Sequence, residues 1–100
     1  MKVKITCVRQ TEYKDLSERY EIRQEGPMCS MRVGDVYFSD GEKPEGFCTE
    51  AWKTVGPFVR RLLAGETHFF GDWMKDPASA MVSCNDGFRP MSCLVELCDN

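Results

Sequence analysis

Val3, Ile5 and Cys7 alternate with Lys2, Lys4 and Thr6 at the start of the chain, the period-two pattern of a strand with one buried face. Residues 11–24 are polar and mixed. Their Tyr13, Leu16, Tyr20 and Ile22 are spaced loosely enough for a short helix or an irregular arm, which Gly26-Pro27 ends. A second strand is expected over 33–38, where Val36, Tyr37 and Phe38 favour extended backbone and Ser39-Asp40-Gly41 supplies a turn. Thr49 reads as an N-cap, Glu50 lies in the first turn and Gly65 follows the end, so a helix is expected over 50–64. Trp52, Val55, Val59 and Leu62 share its apolar face, while Lys53, Arg60 and Arg61 point to water. Gly56-Pro57 interrupts this stretch, and a proline inside a helix removes one backbone bond, so the pattern predicts a kink or restart there. Residues 66–77 form an aromatic loop, and two further strands over 79–84 and 91–98 flank Asn85-Asp86-Gly87 as an antiparallel pair. With the opening strand over 2–9, the fold expected is α+β. It is an antiparallel sheet of about four strands with one main helix packed on one face, spanning residues 1–100 as a single domain.

Composition narrows the partners. A net charge of −3 and scattered basic residues form no stripe for a nucleic-acid backbone or an anionic membrane. No apolar stretch approaches the roughly 18–20 residues needed to span a bilayer. Six cysteines in a short chain suggest a disulfide framework, but Met1-Lys2-Val3-Lys4-Ile5 reads as a strand and not as an export signal. A cytoplasmic, reducing setting is therefore expected, where thiols remain thiols, bind metal or do chemistry.

Three of those cysteines flank turn glycines rather than hydrophobic runs. Cys29 follows Gly26-Pro27-Met28, Cys48 follows Gly46-Phe47, and Cys84 precedes Asn85-Asp86-Gly87. Reactive or ligating thiols favour such partly open positions, so one shared site is a reading of this placement. Three thiolates with an open fourth position suit an iron–sulfur cluster or zinc, although no Cys-x-x-Cys knuckle is present. A second reading makes Cys48 a nucleophile at the start of the helix, with His68, the one histidine, as the available base. A third leaves all six thiols as packing residues, the reading that best suits Cys7 and Cys93. Asp86 and Arg89 form the best polar pair. Either Arg89 holds a small anionic ligand with Asp86 orienting it or acting as base, or Asp86 makes the turn and Arg89 pairs with it. Phe69, Phe70 and Trp73 suggest a lid or, preferably, a homo-oligomer contact.

Several blocks recur in one order: Gly26-Pro27-x-Cys29, Val33-Gly34-Asp35, Gly41-Glu42-Lys43-Pro44-Glu45-Gly46-Phe47-Cys48, Ala51-Trp52, Trp73-Met74-Lys75-Asp76-Pro77 and Cys84-x-Asp86-Gly87-x-Arg89-Pro90. With the opening Met1–Thr6 they resemble a family of small cytoplasmic proteins of anaerobic bacteria and archaea with no established activity. The resemblance covers nearly all of the chain except residues 10–25. It implies that Cys29, Cys48 and Cys84 are the family's typical cysteines, in an oxygen-free setting where an exposed thiolate or an iron–sulfur centre survives. The chain departs from the pattern at Gly56-Pro57, at Glu66-Thr67-His68-Phe69 and at Cys93. Three function classes follow as expectations: a protein binding a metal centre or small anionic ligand through Cys29, Cys48, Cys84 and Arg89, a thiol enzyme using Cys48, Asp86 and Arg89, or a structural subunit.

Overall fold

The computed structural model of the chain describes residues 1–22 and 30–99. The elements run β1 (Lys2–Gln10), α1 (Lys14–Tyr20), β2 (Val36–Ser39), α2 (Thr49–Leu63), α3 (Phe69–Asp72), β3 (Ser79–Ser83) and β4 (Met91–Cys98). The strands form one antiparallel sheet in the order β2-β1-β4-β3. The α+β class and the single main helix on one face are as the sequence pattern led us to expect.

Alternation decides which side of the sheet meets the helix. Val3, Ile5 and Cys7 of β1, Ala80 of β3 and Met91, Cys93 and Val95 of β4 are all buried. Facing them, Ala51, Val55, Val59 and Leu62 of α2 are fully buried, so the period of 3.6 and the period of two close on one core. Trp52, expected in this core, lies at its margin, packed edge-on to Phe47 with ring centroids 5.8 Å apart and covered by Arg60. Phe38, Val36 and Met81 belong to the other side of the sheet and are exposed.

Several boundaries and one break differ from the sequence reading. The second strand is short, Val36–Ser39, because Gly34 adopts a left-handed φ of 99° and Asp35 closes a turn on Arg32. The helix begins at Thr49, and Cys48 is its N-cap residue, with no side-chain capping bond. It runs without the expected interruption through Gly56-Pro57. Pro57 is on the exposed side, where water can satisfy the carbonyl that the missing N–H leaves. Gly56 is buried against the Trp52 indole, and a Cβ there would come within 2.8 Å of the ring. The glycine admits the tryptophan rather than bending the helix.

The expected aromatic loop contains the single turn α3. His68, Phe70 and Asp72 each have φ near 60–70° (62°, 57° and 73°), the left-handed region that L side chains enter at a cost of about 1–2 kcal/mol per residue. Burial of Phe69, edge-on contact with Phe58 at 5.7 Å, and Arg61 stacked 4.7 Å above the Phe69 ring hold the turn in place.

Candidate functional site

Antiparallel pairing brings the end of β1, the end of β3 and the start of β4 to one end of the sheet, and the N-terminus of α2 meets them there. A cavity of about 460 Å3 lies at this corner. Its walls include Cys48, Glu50 and Ala51 from the start of α2, and Cys84, Asn85, Asp86, Arg89 and Met91 from the β3–β4 connection. Gln10 and Glu21 complete it. Cys48, Cys84, Asp86 and Arg89, singled out separately from turn chemistry, thus share one cavity. Cys29, the third turn cysteine, lies outside the described residues.

Each side chain has a local reason for its place. Asp86 Oδ1 accepts the backbone N–H groups of Phe88 at 2.8 Å and Arg89 at 3.1 Å, the side-chain-closed turn that aspartate makes readily. Asp86 therefore shapes the turn. Arg89, expected to pair with Asp86 if it did not hold a ligand, is directed elsewhere by that turn. It is 3% exposed, and its two Nη atoms donate to Glu21 at 3.0 and 2.9 Å in a two-pronged ion pair. Nη2 also donates to Ser17 Oγ at 3.3 Å, and Ser17 Oγ in turn donates to Glu21. Nε faces Glu12 Oε2 at 3.4 Å without hydrogen-bond geometry, a contact of charge alone. The hydrogen bonds to Glu21, opposed by burial, hold the guanidinium above its already high ordinary pKa.

This pairing anchors the polar arm. Thr11 and Tyr13 donate backbone bonds to Pro90 and Phe88 at 3.0 and 2.8 Å, and Arg89 clasps both ends of α1 through Glu12 and Glu21. Arg89, singled out in the sequence, lines the cavity, whereas its partners Glu12 and Glu21 were not marked there. A lone acid in a polar arm carries no mark of a partner so far along the chain.

The thiols differ in setting. Cys84 Sγ accepts the backbone N–H of Met91 at 3.2 Å while its own N–H donates to Met91 O at 3.0 Å, which fixes it at the cavity wall. The backbone N–H of Cys48 donates to Met31 Sδ at 3.4 Å. Glu50, two residues beyond Cys48, accepts from Lys53 at 2.8 Å and Asn85 at 3.3 Å. These bonds, Lys53 first, hold its carboxyl below the ordinary glutamate range. His68 is not at this site: its Nδ1 pairs with Thr67 Oγ1 at 2.7 Å beside α3, and it does not line the cavity that Cys48 lines.

A metal centre needs a convergent donor set. Among the described residues no group of three or more His, Cys, Asp or Glu side chains is placed to hold an ion. Of the three cysteines in the metal reading, Cys48 and Cys84 line the cavity and Cys29 lies outside the described residues. No described helix is long and apolar enough to cross a membrane. The chain matches no family model, no curated protein and no solved structure.

Proposed function

We propose that this chain binds a small organic ligand in the cavity at the end of its sheet. The apolar part of the ligand lies along Ala51 and Met91, and a neutral or cationic group faces Glu50 and Asp86. The observation that carries this reading is the convergence of Cys48, Cys84, Asp86 and Arg89 on one cavity of about 460 Å3. That volume falls within the roughly 300–1,000 Å3 usual for small-molecule sites. The charge balance favours a non-anionic occupant. Glu21, Glu50 and Asp86 supply three carboxylates against the single guanidinium of Arg89, whose fork already grips Glu21. An anion would have to displace that intramolecular pair, so the anionic ligand considered first has weaker support.

Benzylamine, benzyl alcohol and benzoate, titrated into 15N-labelled protein, test this reading. The amine and the alcohol should shift the amides of Cys48, Ala51, Cys84 and Met91 saturably and slow alkylation of both thiols, and benzoate should do neither. Absence of saturable shifts at this corner with all three would overturn it. A cadmium–thiolate absorbance band lost in Cys48→Ser would favour the metal reading instead.

A role as a subunit of an assembly is favoured by a different observation. Trp73 is 81% exposed and leans on Phe70 with ring centroids 6.1 Å apart, an apolar projection beside the strained turn of α3. Light scattering of the wild type and Trp73→Lys checks it: a concentration-dependent mass lost in the variant supports self-association, and a monomeric wild type removes it.

A further inference from the structure

Cys7 and Cys93 lie outside the cavity and face each other across the two central strands. They are register partners in the β1–β4 ladder, and both are buried, at 1% and 0% exposure. Their shared burial places them on the same, core side of the sheet. Neither is joined in a disulfide in the structure.

The hydrogen-bond pattern identifies which kind of pair they make. The Cys7 N–H donates to Asp35 O at 2.9 Å, and Cys7 O accepts from Gly34 N at 2.7 Å. Both backbone groups of Cys7 therefore point away from β4. On the other strand, Met91 O accepts from Cys84 N and Leu97 N donates to Ala78 O, so the odd-numbered residues of β4 direct their backbone groups toward β3. Cys7 and Cys93 are consequently a non-hydrogen-bonded antiparallel pair. In such pairs the Cα atoms approach to about 4.5 Å and the side chains lie closest. That spacing lies at the lower end of the roughly 4.4–6.8 Å range that disulfides span. The bulge that follows between Cys7 and Arg9 adds local twist with which the strands can accommodate the bridge.

We propose that Cys7 and Cys93 are an oxidative modification site that closes to a cross-strand disulfide when the chain folds in the presence of a small disulfide such as oxidised glutathione. One thiolate of the pair attacks a glutathione sulfur, forming a mixed disulfide and releasing one glutathione thiolate. The second thiolate attacks the protein sulfur of that mixed disulfide, forms the Cys7–Cys93 bond and releases the second glutathione. Two protein thiols are oxidised, one glutathione disulfide is reduced to two thiols, and the two protons pass to the glutathione thiolates. Burial confines the exchange to the unfolded or partly zipped chain, and afterwards shields the bridge from reductant. The bridge encloses nearly the entire sequence, the case in which a cross-link restricts the unfolded chain most. In a reducing setting the same two residues remain packing thiols, so the ladder has a covalent lock that depends on where the chain folds.

Refolding from urea in a glutathione redox buffer, with acid quench, alkylation of remaining thiols and peptide mapping, provides the test. The expected product is a peptide joining Cys7 to Cys93, with Cys29, Cys48, Cys84 and Cys98 unbridged. The thermal midpoint of this product should exceed that of the reduced protein by on the order of 10 °C. Cys7→Ala and Cys93→Ala should each abolish the shift. Alkylated Cys7 and Cys93 after refolding, or a bridge from either to any other cysteine, would overturn the proposal from the wild type alone, whether or not the variants fold.

Discussion

Arg89 and Glu21, 68 residues apart, meet through two parallel hydrogen bonds of 3.0 and 2.9 Å at the wall of the cavity. The pair explains how an arm that leaves Tyr13, Leu16, Tyr20 and Ile22 exposed, and so buries little apolar surface, stays on the domain. It also decides the electrostatic character of the site, because the fork is neutralised from within the chain. Ser17 at 4% exposure and Glu12 complete its surroundings, so three polar side chains share one buried cation.

Removing one member of a desolvated pair leaves the other uncompensated, whereas exposed pairs contribute little. Glu21→Gln should therefore lower the urea midpoint clearly more than Glu66→Gln. Glu66 pairs with Arg61 at 3.2 Å with both side chains about half exposed, and its loss should cost less than about 1 kcal/mol. Equal midpoints for the two variants would contradict the anchoring role assigned to Glu21.

Gly56→Ala sets two effects against each other. Alanine gains about 1 kcal/mol of helix propensity, but its Cβ would lie 2.8 Å from the Trp52 ring. Trp52 is held by Phe47 on one side and Arg60 on another, and overpacking of this kind costs about 1–3 kcal/mol. The expected net result is destabilisation, read by denaturation in a Trp73→Phe background so that Trp52 fluorescence reports on its own displacement. A more stable variant would show that the indole moves freely.

Val55 and Leu62 anchor α2 on the sheet, both at 0% exposure. Leu62→Ala should cost about 2–5 kcal/mol by chemical denaturation, with far-UV signatures of the folded state retained at low denaturant. A cost below about 1 kcal/mol would mean that the helix packs more loosely than its burial indicates.

Glu50 gives the domain an acid-side dependence. Its carboxyl is held below the ordinary value of about 4.3 by Lys53 and then Asn85. The folded state thus binds the proton more weakly than the unfolded chain. The stabilising contribution is present above the unfolded value and fades as pH falls through the lower folded value. Carbon-detected titration should show a depressed Glu50 midpoint that rises in Lys53→Met. An unchanged midpoint in that variant would remove Lys53 as the main cause.

Asp86→Ala should loosen the β3–β4 connection by about 1–2 kcal/mol, because two backbone N–H groups lose their acceptor. Asp86→Asn, which keeps an acceptor oxygen, should lose less. The comparison is made by urea unfolding, with the Arg89 side-chain resonances as a local readout. Identical losses would indicate that the charge, not the turn, is the working feature.

Local chemistry determined much of this protein. Alternation at Val3, Ile5 and Cys7 selects one strand face, the spacing of Val55, Val59 and Leu62 selects one helix face, and Asn85-Asp86-Gly87 marks the reversal between the last two strands. Those signals need only neighbours a few residues away, so the α+β layer and the turn positions of Cys48, Cys84, Asp86 and Arg89 could be read directly. The tertiary structure alone decided what those positions face. Glu21 reaches Arg89 only because β1 ends beside β4. Cys7 meets Cys93 only because the ladder register sets them opposite. Proline is tolerated in α2 because its side of the helix faces solvent, and Gly56 is required because an indole lies against it. Each of these depends on contacts between residues distant in sequence, whose energies arise from burial and register and leave no periodic trace in the chain itself.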